Sequence, residues 1–402
     1  MREGWEIQPL QALCDNFRQD IVDGPFGSEL QRKDYVTAGV PVLKIQNVKP
    51  FAVELKKMDY VSTAKFEELR RHSYQPGDIV MTKLGSPLGV SAIVEGIPEG
   101  VIVADLVRIR AKRVNTKYLC YHLNSQQTND FINTQQKGTT RPRVTLSVVR
   151  ELPILVPPLE DQQRIVGVLD EAFAGLAVAQ ANAAKNLQNA RALFESYLQA
   201  VFSQQGKGWV VSTIGDLCIL KSGTTLSPDL EQTEGDIPYL KVGDMSYAGN
   251  ENDITTSSRF LRQSDVKDSS VIPAGATIFP KRGGAILTNK KRITSRPICA
   301  DLNIMAVIPP SIISPRFLYY YFVNVDMRKL GTGSSIPQIN NYDIAPLVIS
   351  YPKLRNDQLE VVSQLDALSA ETKRLARLYE QKQAQLAALK KSLLHQAFNG
   401  NL

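Results

Sequence analysis

Between residues 161 and 202 apolar side chains recur at steps of three and four: Ile165, Leu169, Ala172, Leu176, Ala179, Ala183, Leu187, Ala190, Phe194, Tyr197 and Val201. A second run occupies 355–398, with Leu365, Leu368, Thr372, Leu375, Tyr379, Leu386, Leu389 and Leu393 and one polar interruption near Lys382. Such spacing holds one stripe on one helix face, the pattern of a coiled-coil seam. A helix of about 40 residues is roughly 60 Å long at ~1.5 Å per residue and is not stable alone. Each seam therefore requires a partner, and the simplest is the other helix, packed antiparallel because a globular region must fit between them. Elsewhere short β-branched runs at 40–45, 78–82, 101–109 and 277–279, punctuated by Gly and Pro, predict strands. Tyr- and Leu-rich stretches at 116–125 and 315–325 predict a pair of core helices.

The chain is written twice. Gly4-Trp5 and Leu13-Cys14 recur as Gly208-Trp209 and Leu217-Cys218, and Val40-Pro-Val-Leu-Lys-Ile45 recurs as Ile237-Pro-Tyr-Leu-Lys-Val242. Lys83-Leu-Gly85 answers Lys281-Arg-Gly283, Ala104-Asp-Leu106 answers Ala300-Asp-Leu302, and Gly138-Thr-Thr-Arg-Pro-Arg-Val144 answers Gly333-Ser-Ser-Ile-Pro-Gln-Ile339. The long helices share a closing signature in which Leu193, Ser196, Leu198 and Phe202 correspond to Leu389, Ser392, Leu394 and Phe398. Landmarks in one order at one period mark a tandem duplication. The expected fold is α+β: two mixed, β-rich domains (1–157 and 206–352), each followed by a long helix (158–205 and 353–402), with the two helices forming an antiparallel coiled coil.

Composition narrows the chemistry. No run of consecutive apolar residues approaches the ~20 needed to span a bilayer, and Met1-Arg-Glu-Gly-Trp5 has no signal-peptide core, so no membrane and a cytoplasmic location are expected. The four cysteines are far apart with no CxxC pair, and only three histidines exist, so neither a metal site nor His-based catalysis is expected. Net charge is +7, distributed as +4 over 1–157, −2 over 158–205, +2 over 206–352 and +3 over 353–402. That permits a polyanionic partner without proving one. Neither Pro-Pro pair, Val156-Pro-Pro-Leu159 or Ile308-Pro-Pro-Ser311, fits the Asn/Asp-Pro-Pro-aromatic turn of an adenine methyltransferase, and Gly206-Lys207 lacks a Walker A glycine. No catalytic residue is expected in this chain.

Two divergent globular modules tied to a rigid spacer suit a ligand with two recognition points at fixed spacing, and duplex DNA is such a ligand. The sequence also resembles a family over essentially its whole length: the specificity (S, HsdS) subunits of type I restriction-modification enzymes. Asp23-Gly-Pro-Phe-Gly-Ser28 looks like a family signature near the start of a recognition domain, and Lys221-Ser-Gly-Thr-Thr225 is its looser counterpart. Leu43-Lys-Ile-Gln-Asn47, Pro76-Gly-Asp-Ile79 and Val156-Pro-Pro-Leu-Glu-Asp-Gln-Gln163 are similar too, and Asn356-Asp-Gln358 repeats the end of the last. The second half departs by having Tyr351-Pro-Lys-Leu354 in place of Pro-Pro-Leu-Glu. The resemblance implies a non-catalytic chain whose two target-recognition domains each read half of a bipartite double-stranded DNA site. It implies assembly with two methylation subunits and, optionally, two restriction subunits, which carry the S-adenosylmethionine, ATP and Mg chemistry. Two alternatives stay open: the DNA-recognition subunit of another multisubunit methyltransferase or nuclease, and a coiled-coil adaptor that binds no DNA.

Candidate DNA contacts follow from residue type. In the repeated loops, Thr139, Thr140, Arg141 and Arg143 answer Ser334, Ser335, Gln338 and Asn340. Glycine permits close approach to phosphate, hydroxyls donate to it, and Arg or Gln can be bidentate to guanine or adenine edges; a structural turn closing the domain would use the same residues. Lys44, Gln46 and Asn47, with Lys241 opposite, end a strand in each half. Lys83 and Lys281-Arg282, beside glycines, read as phosphate clamps, and Lys290-Lys291-Arg292 as a hairpin tip. Arg108, Arg110 and Lys112 alternate along one strand and share a face. Ala174, Ala181, Leu187, Leu386 and Leu393 are the candidate docking residues for partner subunits.

Overall fold

The computed structural model describes residues 4–138, 140–203, 206–330 and 337–399. The chain divides into two compact units, one comprising 1–183 with 381–402 and the other 184–380. Both long helices form as expected, Leu159–Phe202 and Arg355–Phe398, each of 44 residues. Each contributes to both units: Ile165 and Leu169 lie in the first core and Leu198 in the second, whereas Val362 and Leu365 lie in the second and Leu394 and Phe398 in the first.

Within the first unit, Ser91–Ile93, Ile79–Thr82, Leu106–Ile109 and Ile21–Asp23 form an antiparallel sheet in that order. A second sheet runs Tyr35–Val36, Asp59–Val61, Val40–Leu43, Gly100–Ile102 and Ser73–Tyr74, with Val40–Leu43 and Gly100–Ile102 parallel. In the second unit one sheet runs Ile219–Ser222, Ile304–Ile308, Thr277–Pro280, Arg292–Thr294 and Asp253–Ile254. Another runs Phe260–Leu261, Ile237–Leu240 and Cys299–Ala300, its last pair parallel. The run at 101–109 is thus two strands in different sheets. Its break is a tight turn, Leu106 N–H donating to the Val103 carbonyl, and a Cβ added at Gly24 would lie 2.1 Å from the Val103 carbonyl carbon. A Cβ at Gly223 would lie 1.9 Å from the Asp301 carbonyl oxygen. The repeated Ala-Asp-Leu and the glycine of each signature loop are two sides of one backbone contact that leaves no room for a side chain.

Each unit has a two-stranded ribbon that leads into a long helix: Glu6–Pro9 with Pro153–Val156, and Trp209–Thr213 with Val348–Pro352. A buried glutamine in the first turn of the helix locks the junction. Gln162 accepts from the Asn115 N–H and donates to the Pro157 carbonyl, each at 2.8 Å; Gln358 accepts from Ser314 N–H and donates to the Pro352 carbonyl, also at 2.8 Å. Asn115 and Ser314 are the residues that precede the core helices Thr116–Leu123 and Pro315–Asn324. About two turns up the helix, Asp170 takes the Tyr121 hydroxyl and the Lys117 ammonium, and Asp366 takes the Tyr320 hydroxyl and the Arg316 guanidinium.

Seam positions in the first helix are all buried or half-buried. In the second helix Leu389 departs from the expected seam and is 48% exposed. Within the second unit Arg191 pairs with Glu380 at 2.8 Å and Tyr197 bonds Gln364 at 2.8 Å, so numbering falls on one helix as it rises on the other, the expected antiparallel sense. The first helix also holds an 18-residue window of mean hydropathy 1.2, of which 17% is buried. By length and composition alone it suffices to cross a bilayer, which reading consecutive apolar residues missed: alanines raise the average without a run of large side chains.

The end of the second helix is seated in the first core, where Phe398 meets Tyr118 and His122 edge-on, with ring centroids 5.5 and 4.8 Å away. His122 is buried; its Nε2 accepts from the Leu155 N–H at 3.0 Å, and burial pushes its pKa down from 6.5 to about 4. The folded state therefore excludes the proton that the unfolded chain accepts. Stability from this site is present above pH 6.5 and is lost as pH falls toward 4, an effect of about 3 kcal/mol at about 1.4 kcal/mol per unit. Thermal unfolding followed across this range is expected to show that slope in the native chain and a flatter one in His122→Gln; equal slopes would assign the acid sensitivity elsewhere.

Candidate nucleic-acid interface

The repeated loops dock against the repeated Lys-x-Gly segments, and backbone alone makes the joint. In the first unit Gly85 N–H donates to the Pro142 carbonyl at 2.9 Å and Val144 N–H to the Lys83 carbonyl at 3.0 Å. In the second, Gly283 N–H donates to the Pro337 carbonyl at 2.8 Å and Ile339 N–H to the Lys281 carbonyl at 2.9 Å. The resulting bridges pair Leu84 with Arg143 and Arg282 with Gln338. Two candidate groups separated by more than fifty residues in each half are thus neighbours.

The first loop is closed at its base by reciprocal backbone bonds of 2.9 Å between Lys137 and Arg143. Thr140, Arg141 and Arg143 are exposed, and no carboxylate lies within ion-pairing distance of Lys137, Arg141 or Arg143 among the described residues. Thr139, Ser334 and Ser335 lie outside the described residues. In the second unit Arg282 is exposed, and Gln338 and Asn340 are half-buried. Gln338 Nε2 donates to Asn340 Oδ1 at 2.7 Å, and Asn340 Nδ2 donates to the Tyr342 hydroxyl at 2.8 Å. Lys137 and the 67%-exposed Tyr342 were missed in the sequence, although Lys137 precedes the loop glycine Gly138 and Tyr342 lies two residues after Asn340.

Other candidates have internal partners. Lys83, expected as a phosphate clamp, is buried; its ammonium pairs with Asp23 at 2.7 Å and lies 4.6 Å from the centroid of Phe26. Lys281 is its counterpart, donating to Ser222 Oγ at 2.7 Å, and burial with the nearby Arg282 charge pushes its pKa down. Asn47 is 1% exposed: its carbonyl caps the Lys44 N–H and its amide donates to the Glu54 and Lys56 carbonyls. Lys44 pairs with Asp59 and covers the Tyr35 ring at 4.2 Å; Lys241 pairs with Glu231 at 2.6 Å. Gln46 is exposed and donates to the Lys57 carbonyl at 3.2 Å.

Lys290-Lys291-Arg292 is no hairpin tip. Arg292 opens the strand Arg292–Thr294, bracketed by Thr277–Pro280 and Asp253–Ile254. Lys291 is buried and donates to Asn289 Oδ1 at 2.7 Å and the Val325 carbonyl at 2.6 Å; desolvation pushes its pKa down to about 8. Lys290 donates to Ser246 Oγ and Arg292 to the Met245 carbonyl. All three line a cleft of about 720 Å³ within the second unit. Arg108, Arg110 and Lys112 do not share one strand face: the strand ends at Ile109, Arg108 is 4% exposed, Arg110 pairs with Asp78 at 2.7 Å, and Lys112, exposed, lies 3.6 Å from Asp15. Of the docking candidates, Ala174 and Ala181 are exposed, whereas Leu187, Leu386 and Leu393 are half-buried along the seam.

The chain matches the family model described as type I restriction modification DNA specificity domain over residues 41–184 and 206–384. It is 22% identical over its full length to 94% of a specificity subunit of a type I restriction enzyme (MjaX) from Methanocaldococcus jannaschii. Its fold is shared with a chain from a type I R-M system whose complex assembly was determined, at TM-score 0.77 and 18% identity over 100% of this chain and 99% of that one. The HsdS subunit from Thermoanaerobacter tengcongensis is similar at TM-score 0.62 and 18% identity, covering 100% and 98%.

The internal ion pair and the exposed loop cations predict different consequences of removal. Lys83→Met leaves the Asp23 carboxylate without its cation and is expected to destabilise the first unit by about 2 kcal/mol. Arg141→Met is expected to stay within about 0.5 kcal/mol. Chemical denaturation of the purified variants distinguishes them; an unperturbed Lys83→Met protein would return that lysine to the surface.

Proposed function

The chain belongs to the family of type I restriction-modification DNA specificity subunits, and from that premise we propose that each half of it reads one half of a bipartite DNA site on behalf of partner subunits. The observation that carries this reading is the duplicated joint between reader loop and Lys-x-Gly segment, built from the same backbone bonds in both units and presenting different polar side chains. Uncompensated cations at Lys137 and Arg141 supply attraction to phosphate without the cost of breaking an internal ion pair. The amide relay at Gln338 supplies the directional hydrogen bonding that phosphate binding lacks.

In this reading the chain contributes specificity, and catalysis belongs to its partners. Two methylation subunits, with two restriction subunits optional, would bring S-adenosylmethionine, ATP and Mg to the complex. The exposed alanines Ala174 and Ala181 give an apolar helical surface outside the seam for the methylation subunits. Charged replacement of both is expected to delay neither folding nor helix pairing but to abolish co-elution with a co-expressed methylation subunit; an unchanged size-exclusion profile would place the docking surface elsewhere.

Co-expression with the cognate methylation subunit in a methylation-free host, followed by genome-wide mapping of N6-methyladenine, tests the central claim. A bipartite motif with a fixed unread gap is expected, and a continuous motif would refute reading by halves. Affinity of the complex for its site is expected to fall steeply with salt, with the log–log slope reduced by about one for each phosphate contact removed at Arg141 or Lys137.

A further inference from the structure

We propose that Arg143 and Gln338 are equivalent base-reading positions, and that Arg143 contacts a guanine edge in one half-site while Gln338 contacts an adenine edge in the other. This rests on the reading of the chain as a DNA specificity subunit. The two residues occupy one structural position: each follows a proline whose carbonyl accepts from a Lys-x-Gly glycine, and each precedes a residue whose N–H donates to the lysine carbonyl. Each is also the bridge partner of the middle residue of that segment. The following residues, Val144 and Ile339, are 4% and 0% exposed. Because adjacent side chains on extended backbone point oppositely, Arg143 and Gln338 are turned away from the core.

Their chemistry differs where their backbone does not. A guanidinium offers parallel N–H donors, matching the O6 and N7 acceptors of guanine; a primary amide offers one donor and one acceptor, matching N7 and N6 of adenine. Gln338 is preset for this. One Nε2 proton is held by Asn340 Oδ1 at 2.7 Å, and Asn340 is itself held by Tyr342. The other Nε2 proton and Oε1 remain without a partner among the described residues. Across the bridge the charge changes sides: Leu84 faces Arg143, whereas Arg282 faces Gln338. Each joint thus keeps one guanidinium, on the reading strand in the first unit and on the supporting strand in the second.

The test exchanges the two side chains. The native chain, Arg143→Gln, Gln338→Arg and the double exchange are each co-expressed with the methylation subunit, and the methylated motif is mapped. Arg143→Gln is expected to convert one G·C position of one half-site toward A·T, and Gln338→Arg to do the reverse in the other, each changing relative methylation by roughly 10- to 100-fold. Arg143→Ala and Gln338→Ala, which add no new contact, are expected to relax those same positions. Thermal unfolding of each variant reports on folding. Uniform loss of methylation with an unchanged motif would make both residues phosphate contacts and overturn the proposal, as would altered preference in both halves from a single exchange. A native chain without a bipartite motif would defeat the reading of the whole protein; a bipartite motif that no variant alters would defeat this inference alone.

Discussion

The junction at the start of each long helix depends on one buried glutamine. Gln162 and Gln358 are 3% and 0% exposed, and each ties a strand end to the N–H of the residue that opens a core helix. A buried amide is favourable only when its donor and acceptor are both satisfied, and removing it leaves backbone groups unpaired at about 1–3 kcal/mol each. The same amide therefore fixes three elements at once: the ribbon, the core helix and the direction in which the long helix departs. The carboxylates Asp170 and Asp366 repeat the tie higher on each helix, each with one tyrosine and one cation from the core helix.

Periodicity and repetition were legible because they follow from geometry that leaves a mark at every turn. Seam residues from Ile165 to Val201 fall on a face set by ~3.6 residues per turn, and all are buried or half-buried. The glycines at 24 and 223 were legible only as parts of matching motifs; their close approach to Val103 and Asp301, which the lack of a Cβ permits, emerges from the fold. Leu389 was misassigned because its spacing fits a seam while the face it occupies is exposed.

Charge was less legible. A lysine beside a glycine has the same local sequence whether it meets a phosphate or an aspartate, and the partner of Lys83 is Asp23, far away in sequence. The basic triplet at 290–292 misled for a related reason. Its neighbours in sequence suggest a solvated tip, whereas Asn289, at φ 52°, turns the chain so that Lys291 enters the interior and bonds the Val325 carbonyl. Burial then lowers the ammonium's pKa, and the group serves as an internal tie. Asn47 is another such case: an amide at a strand end, read as a base contact, is the cap of its own turn.

What distinguishes the repeated loops is that their anchorage uses no side chain of the exposed residues. The joint consists of main-chain bonds from Gly85 and Val144, and from Gly283 and Ile339, with the small and apolar residues on the inner side. Main-chain bonds are indifferent to the side chain that projects outward between them, so Arg and Gln occupy the same position without altering the fold. In a core, by contrast, a change of that size would leave a cavity or a clash costing about 1–5 kcal/mol. Anchorage and the variable side chains are therefore assigned to opposite faces of one short segment. That separation lets two halves with a common fold carry different polar chemistry on the outer side of the same joint.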